Sequence, residues 1–277
     1  MTTTATAAPA GWKRYWGFSR TPFAKKLAPS EIVAHPGHRE AVARIRFVIE
    51  EGGIGLITGE VGAGKTVAVR AAVDSLDQSA HTVIYLSNPL IGARGIHHHL
   101  VTALGTAPRF HRPALIAQTA DLLARERDER DKQTVLVVDE AHLLDPDQLE
   151  QLRLLTNLDM DADSPLALLL VGQPTLRRTL RRGSFAALDQ RIAVRYQLNP
   201  LEPGQAATYL DHHLALAGRT DAIFAHDAAS AICHAARGLP RQIGNLAVAA
   251  LIAGYSRERR IVDHDCALAA IADHTAA

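Results

Sequence analysis

The sequence has few of the residues that mark specialised classes of protein. Only two cysteines occur in 277 residues, Cys233 and Cys266, and they do not form a C-x-x-C pair. A disulfide framework and a cysteine-ligated zinc site are therefore not expected, and a cytoplasmic, reducing compartment suits this composition. No apolar run reaches the length of a membrane-spanning helix, so we expect no membrane partner.

A strong charge of either sign is also lacking. The net charge is +1, from 30 Lys and Arg against 29 Asp and Glu, so any binding to nucleic acid must depend on local basic clusters. Apolar residues at 47% and charged residues at 21% are typical of a soluble globular protein with one or two domains. Residues 1–11 are rich in Thr and Ala and lack the basic and apolar regions of a signal peptide, so we expect a disordered tail.

The most informative segment is a complete phosphate-binding loop. It consists of Gly59, Glu60, Val61, Gly62, Ala63, Gly64, Lys65 and Thr66. An apolar segment precedes the loop and a helix-forming segment follows it, which is the context that this motif requires and that a chance glycine-rich turn lacks. Glycines let backbone N–H groups point at a polyphosphate, Lys65 can reach the β- and γ-phosphates, and Thr66 can hold Mg²⁺. The loop therefore predicts ATP and Mg²⁺ as ligands.

The segments around the loop predict an α/β fold. The expected strands are Ile54–Thr58, Thr82–Leu86, Thr134–Val138, Leu166–Val171 and Ile192–Leu198, with helical segments between them. This alternation predicts a parallel five-stranded sheet, whereas residues 203–275 show helical periodicity only. We therefore expect a nucleotide-binding α/β domain over residues 12–200 and a small helical lid domain over residues 201–277.

Two acidic residues follow the third predicted strand. Asp139, at the carboxyl end of a central strand, is expected to hold Mg²⁺ together with Thr66, and Glu140 is expected to polarise the water that attacks the γ-phosphate. An acidic helix cap is the alternative interpretation. The four letters Asp-Glu-Ala-His at 139–142 also occur in a group of helicases, but those proteins need two tandem ATPase domains and an arginine motif that this sequence lacks.

Further polar residues are candidates for catalysis. Gln173 follows the fourth strand, where a side chain can contact the attacking water or the γ-phosphate; capping of a turn is the alternative. Arg191, just before the fifth strand, is expected to stabilise the γ-phosphate of a neighbouring subunit, with Arg195 as second choice and a surface ion pair as the alternative. Arg241 opens a helix after a Gly-Leu-Pro segment and is expected to reach back to the phosphates.

Together these motifs resemble those of the AAA+ ATPases, specifically the ExeA-like group, and within it the transposition regulators of the TnsC/TniB kind. The resemblance covers roughly residues 15 to 272. It depends on the segments Trp16–Phe23, Gly59–Thr66, Val138–His142, Val171–Pro174, Asp189–Ile192 and Gly238–Arg241. It implies the sheet order 5-1-4-3-2, a nucleotide between the α/β domain and the lid, and Phe18 and Phe23 beside the adenine. It also implies assembly into rings or helical filaments.

The function implied by this resemblance is ATP-dependent regulation of DNA transposition. Such a protein hydrolyses ATP, assembles on duplex DNA without reading its sequence, and recruits or licenses a separate integrase-type transposase. The sequence has no triad of carboxylates for DNA strand transfer, so a regulator is expected and not a recombinase. Secretion members of the group carry a membrane span and a cell-wall-binding domain, which we do not find here. An ATP-gated protein adaptor in secretion or signalling and a helicase loader are the alternatives.

Three groups of basic residues are candidate contacts to DNA phosphates. They are Arg177, Arg178, Arg181 and Arg182; Arg257, Arg259 and Arg260; and Arg94, His97, Arg109 and Arg112. A solvated surface or a subunit contact is the alternative for the first two groups. The run His97-His98-His99 is expected to lie on a partly exposed helix and not to bind metal, because consecutive histidines on a helix point in different directions.

Overall fold

The computed structural model describes residues 11–24, 27–157 and 164–276, in two compact units. Residues Pro36–Asn199 form one unit, which we call the sheet unit. The described residues up to His35 and from Pro200 onward form the other, which we call the helical unit. The predicted tail, residues 1–11, lies outside the described residues except for Gly11, which begins the short helix α1 (Gly11–Tyr15).

The sheet unit alternates helices and strands as the sequence predicts. Its elements are α2 (Pro36–Glu50), β1 (Ile54–Gly59), α3 (Lys65–Asp74), β2 (His81–Leu86), α4 (Gly92–Ala103), α5 (Arg112–Asp128), β3 (Gln133–Val138), α6 (Pro146–Leu155), β4 (Leu166–Gly172), α7 (Pro174–Leu180), α8 (Ala186–Arg191) and β5 (Ile192–Leu198). Short 3-10 turns lie at Ala141–Leu143 and Gly183–Phe185. All five expected strands are confirmed, each within one residue at either end.

The five strands form one parallel sheet in the order β2-β3-β4-β1-β5. This is the predicted order 5-1-4-3-2 read from the opposite edge. The central strands β3 and β4 are buried along nearly their whole length, which explains their continuous apolar sequences. Leucines of these strands, such as Leu136 and Leu168, share a core with Leu100 of α4 and Leu152 of α6.

The parallel arrangement brings the predicted site residues to one edge of the sheet. Thr58 of β1 pairs with Gly172 of β4, and Val138 of β3 pairs with Leu170 of β4. The phosphate loop, Asp139 and Gln173 each follow directly after one of these strand ends. The carboxyl edge of a parallel α/β sheet is where such folds bind their ligands.

The helical unit contains four longer helices, which confirms the helical periodicity of its sequence. They are α9 (Pro203–Leu216), α10 (His226–Ala235), α11 (Pro240–Ser256) and α12 (His264–Ala276). A single 3-10 turn lies at Pro29–Glu31. Leu210, Ile232, Ile243 and Leu251 are among the buried side chains that hold these helices together.

The segment before residue 36 corrects one predicted boundary. The sequence predicts that residues 12–35 belong to the nucleotide-binding domain, whereas the structure packs Trp16 and Phe18 into the core of the helical unit, with 2% and 3% of their surfaces exposed. The Trp16 indole also donates a hydrogen bond of 2.9 Å to the carbonyl of Leu251. Burial of a large aromatic side chain stabilises a fold by roughly 2–3 kcal/mol, so these two rings fix the segment to the helices. The second division falls between Asn199 and Pro200, one residue before the predicted one.

Candidate nucleotide-binding site

The glycines of the phosphate loop are required by its backbone path. Gly62 and Gly64 have φ angles of 85° and 100°, in the left-handed region that favours glycine. Gly59 is required for a different reason, since a Cβ atom there would lie 2.6 Å from the carbonyl oxygen of Leu198. The loop therefore has the tight glycine turn that its sequence predicts, and the structure adds the close approach of Gly59 to β5.

Lys65 lies inside the loop. It is the first residue of α3 and is 7% exposed. Its ammonium group donates hydrogen bonds of 2.9 Å to the carbonyl of Gly59 and 3.0 Å to that of Glu60. The N-terminus of α3 adds its unpaired N–H groups and partial positive charge to the same place. Anions are favoured at such a position, and a phosphate chain is the anion that this loop fits.

The side chains of Thr66 and Asp139 are in contact at the carboxyl edge of the sheet. The Thr66 hydroxyl donates a hydrogen bond of 3.0 Å to Oδ2 of Asp139. Asp139 is buried, with 7% of its surface exposed. A hydroxyl that donates its proton still has lone pairs for a metal ion. Carboxylate and hydroxyl oxygens are ligands that Mg²⁺ accepts, so this pair fits the predicted metal role.

Two further donors fix the Asp139 carboxylate. The backbone N–H of Glu140 donates to Oδ1 over 2.9 Å, and the Tyr85 hydroxyl donates to Oδ2 over 2.6 Å. Burial raises the pKa of Tyr85, and the hydrogen bond to Asp139 and the nearby carboxylates raise it further, so Tyr85 keeps its proton. Sequence reasoning missed Tyr85. The available signal was a polar side chain near the carboxyl end of the strand next to β3.

Glu140 differs from Asp139 in backbone and in exposure. Its φ and ψ angles of 51° and 33° lie in the left-handed region, which is sparsely populated by non-glycine residues and is common at functional sites. About half of its side chain is exposed, and Oε2 lies 3.4 Å from Nδ1 of His142 without hydrogen-bond geometry. The buried carboxylate is thus suited to a metal ion, and the exposed one to a water molecule.

Gln173 lies at the end of β4 and precedes α7. Its side chain makes no capping hydrogen bond, although the residue occupies the N-cap position of that helix. It lines a cleft of about 500 Å³ together with Glu60 of the phosphate loop, Gln197 and three arginines. The arginines are Arg177, Arg178 and Arg181, which belong to the first predicted basic group. Gln173 thus lies in the same cleft as Glu60 of the loop, and its sensor role stays a prediction.

Arg191 lies at the other edge of the sheet, whereas Arg195 lies in the middle of β5, opposite Leu56 of β1. Ile192 pairs with Ile54, the first residue of β1, so Arg191 lies at the amino end of the strand that leads to the phosphate loop. The length of β1 therefore separates Arg191 from the phosphate loop by roughly 15–20 Å. Arg191 is too far from the loop to act on a nucleotide in its own subunit. Arg195 is held by its own chain, through an ion pair of 3.1 Å with Asp189 and a hydrogen bond to Ile192.

The comparisons with known proteins agree with this geometry. A family model described as "AAA domain" matches residues 48–180, which include the phosphate loop, Asp139, Glu140 and Gln173. Residues 48–180 are therefore similar to an AAA domain. The chain is also similar to the General secretion pathway protein A of Aeromonas hydrophila, with 33% identity over 267 residues. The alignment covers 94% of this chain and 48% of that protein, so the chain spans about half the length of this relative.

Solved structures of other proteins have a similar fold. The ORC2 protein of Aeropyrum pernix, in its ADPNP–ADP complexes, has a TM-score of 0.69 at 17% identity over 92% of this chain and 72% of its own. The Aeropyrum pernix ORC1 protein in complex with DNA has a TM-score of 0.66 at 17% identity, over 88% of this chain and 66% of its own. The predicted fold is confirmed, and the finer assignment to the TnsC/TniB kind stays a prediction.

The remaining nucleotide-binding candidates belong to the helical unit and not to the sheet unit. Phe18 is buried in the core of that unit, and Phe23 is partly buried and stacks on His213 with ring centroids 5.1 Å apart. Arg241 is exposed in the first turn of α11, where the Gly-Leu-Pro segment predicted a helix start. Of the two aromatic rings, Phe23 is the one that reaches the surface of the helical unit.

The histidine run lies on a partly exposed helix as expected, with His98 exposed, but His97, a candidate DNA contact, is buried. His97 is 2% exposed, not part of an exposed surface, and its ring nitrogens lie 3.1 Å from Thr119 Oγ1 and 3.2 Å from Gln151 Oε1. Burial lowers the pKa of His97 and keeps the ring neutral. His97 therefore links three helices and is not available to contact DNA. Within the described residues, His, Cys, Asp and Glu side chains form no group of three or more suited to a metal ion.

Two expectations from composition concern the whole chain. Cys233 and Cys266 are both buried and unbonded to each other. In the part of the chain that the structure describes, no helix is both long enough and apolar enough to cross a bilayer.

Proposed function

We propose that this protein binds and hydrolyses ATP with Mg²⁺ at the carboxyl edge of its sheet. The observation that carries the proposal is the hydrogen bond between Thr66 and Asp139, beside an exposed Glu140. It joins the phosphate loop to the acidic strand end, so that one nucleotide contacts both. Mg²⁺ there would supply charge neutralisation for the β- and γ-phosphates.

Each residue has a role that follows from its position. The loop Gly59–Thr66 cradles the phosphates through backbone N–H groups, with Lys65 adding a positive charge. Thr66 and Asp139 are the Mg²⁺ ligands, and Glu140 accepts the proton of the attacking water. Gln173 contacts that water or the γ-phosphate. By resemblance, Phe23 and Arg241 stay candidate nucleotide contacts, whereas Phe18 is buried in the core of the helical unit.

The position of Arg191 supports self-assembly. Because it lies at the sheet edge opposite the phosphate loop, its catalytic role requires a second copy of the chain. An arginine supplied by a neighbour stabilises the charge of the transition state in related chemistry. We therefore propose a ring or helical filament in which Arg191 of one subunit completes the site of the next. Arg195 stays the second choice for this role.

A basic surface of the sheet unit favours DNA as a further partner. The sequence contains no aspartate or glutamate between Asp77 and Asp121. The exposed Arg94, Arg109 and Arg112 lie in this interval, with Phe110, which is 81% exposed. Arg94 donates a hydrogen bond to the carbonyl of Phe110, and its guanidinium lies 5.8 Å from the centre of that ring. Arginines around an exposed aromatic ring suit the phosphates and bases of a nucleic acid.

We extend this to the finer function predicted from the resemblance. The protein would assemble on duplex DNA with ATP and recruit or license a separate integrase-type transposase, and hydrolysis would dismantle the assembly. A cytoplasmic location belongs to the same prediction. The DNA in one of the solved complexes of this fold, that of the Aeropyrum pernix ORC1 protein, is compatible with such a partner.

A secretion-type function is the second candidate. It is supported by the 33% identity to General secretion pathway protein A, which aligns with nearly the whole of this chain. In that case the partner of the ATP-bound state is a protein, and duplex DNA changes neither assembly nor turnover. A helicase loader would instead retain a replicative helicase.

Phosphate release by the purified protein tests the proposal. We expect turnover that requires Mg²⁺, is abolished by EDTA, and rises with duplex DNA at low salt. The logarithm of the DNA affinity should fall linearly with the logarithm of the salt concentration. Replacement of Arg94, Arg109 and Arg112 by Ala should reduce the slope of this line. The same replacement of Arg257, Arg259 and Arg260 serves as the comparison. Turnover without any effect of DNA on rate or assembly would favour the secretion-type function.

A further inference from the structure

Tyr85 is bound to the Asp139 carboxylate at the end of two neighbouring strands. In the parallel register of β2 and β3, Tyr85 pairs with Val137 and Leu86 pairs with Val138. The backbone N–H of Asp139 then donates to the carbonyl of Leu86 over 3.0 Å. This pairing fixes the Tyr85 ring beside Asp139, and the hydroxyl donates to Oδ2 over 2.6 Å.

Three donors from three elements set the orientation of that carboxylate. Oδ1 accepts the N–H of Glu140, whereas Oδ2 accepts both the Thr66 and the Tyr85 hydroxyls. Thr66 comes from α3, Tyr85 from β2, and Glu140 from the turn that follows β3. Hydrogen bonds to an ionised acceptor are shorter and stronger than neutral ones, and the Tyr85 bond is the shortest of the three.

The exposure of Tyr85 shows that its ring does not belong to the hydrophobic core. The residue is 45% exposed, and it is absent from the buried cluster that contains Ile84 and Leu86 on the same strand. A tyrosine at this position thus contributes mainly through its hydroxyl. Removal of that oxygen alone leaves the packing of β2 unchanged.

We propose that Tyr85 is a positioning residue that sets the Mg²⁺ affinity of the nucleotide site through Asp139. The inference depends on the proposed function, because it requires Thr66 and Asp139 to be the metal ligands. Side chains that hydrogen-bond to metal ligands orient them, and their loss typically weakens metal affinity or activity by about 10- to 100-fold. Tyr85 acts on the ligand and not on the phosphates, so the affinity for metal-free nucleotide does not depend on it.

Tyr85→Phe is the test, with Tyr196→Phe as the matched control. Tyr196 lies in the same unit, on β5, and its hydroxyl donates to the carbonyl of Gly37 over 3.0 Å, away from Asp139. The measurement is the binding of a fluorescent ADP to the full chain, in EDTA and across a Mg²⁺ titration. We expect the apparent Mg²⁺ affinity to fall about 10-fold in Tyr85→Phe. Affinity in EDTA should equal that of wild type, and Tyr196→Phe should match wild type in both.

A double-substitution cycle shows whether the effect passes through Asp139. In an Asp139→Asn background, Tyr85→Phe should change the Mg²⁺ dependence no further. An unchanged or tighter Mg²⁺ affinity in Tyr85→Phe overturns the proposal. A parallel loss of affinity in EDTA, with equally lowered melting temperatures in both Tyr variants, would indicate a structural role and overturns it as well.

The same titration separates this inference from the function on which it depends. If wild type binds ADP more tightly with Mg²⁺ and Lys65→Ala does not, the proposed site stands and only the role of Tyr85 is in question. If wild type shows no Mg²⁺-dependent nucleotide binding, both proposals are wrong.

Discussion

Thr66 and Asp139 are separated by 73 positions in the sequence, yet the hydroxyl of one donates to the carboxylate of the other over 3.0 Å. The strands that precede these residues, β1 and β3, are not neighbours, because β4 lies between them in the sheet. The contact therefore depends on the loop and helix that leave β1 and cross over the carboxyl edge. Substitutions on either side of this contact should affect the same nucleotide, in different ways.

Lys65→Ala should abolish nucleotide binding. The substitution removes a positive charge from inside the loop, together with two hydrogen bonds to the carbonyls of Gly59 and Glu60. Fluorescent ADP binding measures the loss directly. Lys132→Ala is the control, since Lys132 is partly exposed at a distant turn and donates to the carbonyl of Gln78. An unchanged affinity in Lys65→Ala would mean that the phosphate site lies elsewhere.

Glu140→Gln should separate binding from hydrolysis. The side chain keeps its size and loses its ability to accept a proton, so the turnover number should fall by roughly 10²- to 10⁴-fold while ATP remains bound. We expect ATP-dependent oligomers to persist longer on duplex DNA, as measured by light scattering. Glu150→Gln is the control, because Glu150 is an exposed carboxylate on α6 that pairs with Arg153 over 2.7 Å. A Glu140→Gln variant that stays monomeric with ATP and DNA at low salt would contradict the assembly.

The sequence predicts most of the sheet because burial on both faces leaves a clear pattern. β3 and β4 are almost entirely apolar, and their ends place Asp139 and Gln173 without any knowledge of the tertiary structure. The phosphate loop is equally local at Gly62 and Gly64, whose positive φ angles are requirements of the loop backbone. Such features are encoded within a dozen residues.

The features that sequence reasoning missed all depend on partners far along the chain. Tyr85 contacts a residue 54 positions away, and nothing in the β2 sequence indicates this register. Trp16 donates to a carbonyl 235 positions away, and nothing near it in the sequence indicates that the segment before residue 36 packs with the helical unit. His97 resembles an exposed helical histidine until Thr119 and Gln151 pack against it.

Arg191 should act in trans, and a mixing experiment can show it. Lys65→Ala subunits cannot bind ATP but carry Arg191, whereas Arg191→Ala subunits bind ATP but lack the arginine. Each variant alone should hydrolyse ATP more slowly than wild type by on the order of 10³-fold. Mixed subunits should regain activity above the sum of the two, because Lys65→Ala subunits supply Arg191 to their neighbours. Phosphate release across the mixing ratio is the measurement. Additive activities would exclude the role in trans, and Arg195→Ala in place of Arg191→Ala tests the second choice.

His213 should make the helical unit less stable in acid. Its ring is 3% exposed and lies between Phe23 and Tyr209, with centroids 5.1 and 4.3 Å away. Burial, together with the smaller effects of the neighbouring His212 and Arg20, lowers the pKa of His213 to about 4.

The sign of the pH effect follows from the lowered pKa of His213. In the unfolded chain this histidine binds a proton below a pH of about 6.5, whereas in the folded chain it stays neutral until about pH 4. Stability is therefore fully present above about pH 6.5 and falls as the pH drops through this window, by on the order of 3 kcal/mol at its lower end. Urea unfolding between pH 4 and pH 7.5 measures the fall. His213→Leu should flatten the profile, and His234→Leu, which replaces an exposed histidine of α10, should leave it unchanged. An equally steep profile in His213→Leu would assign the acid sensitivity to other groups.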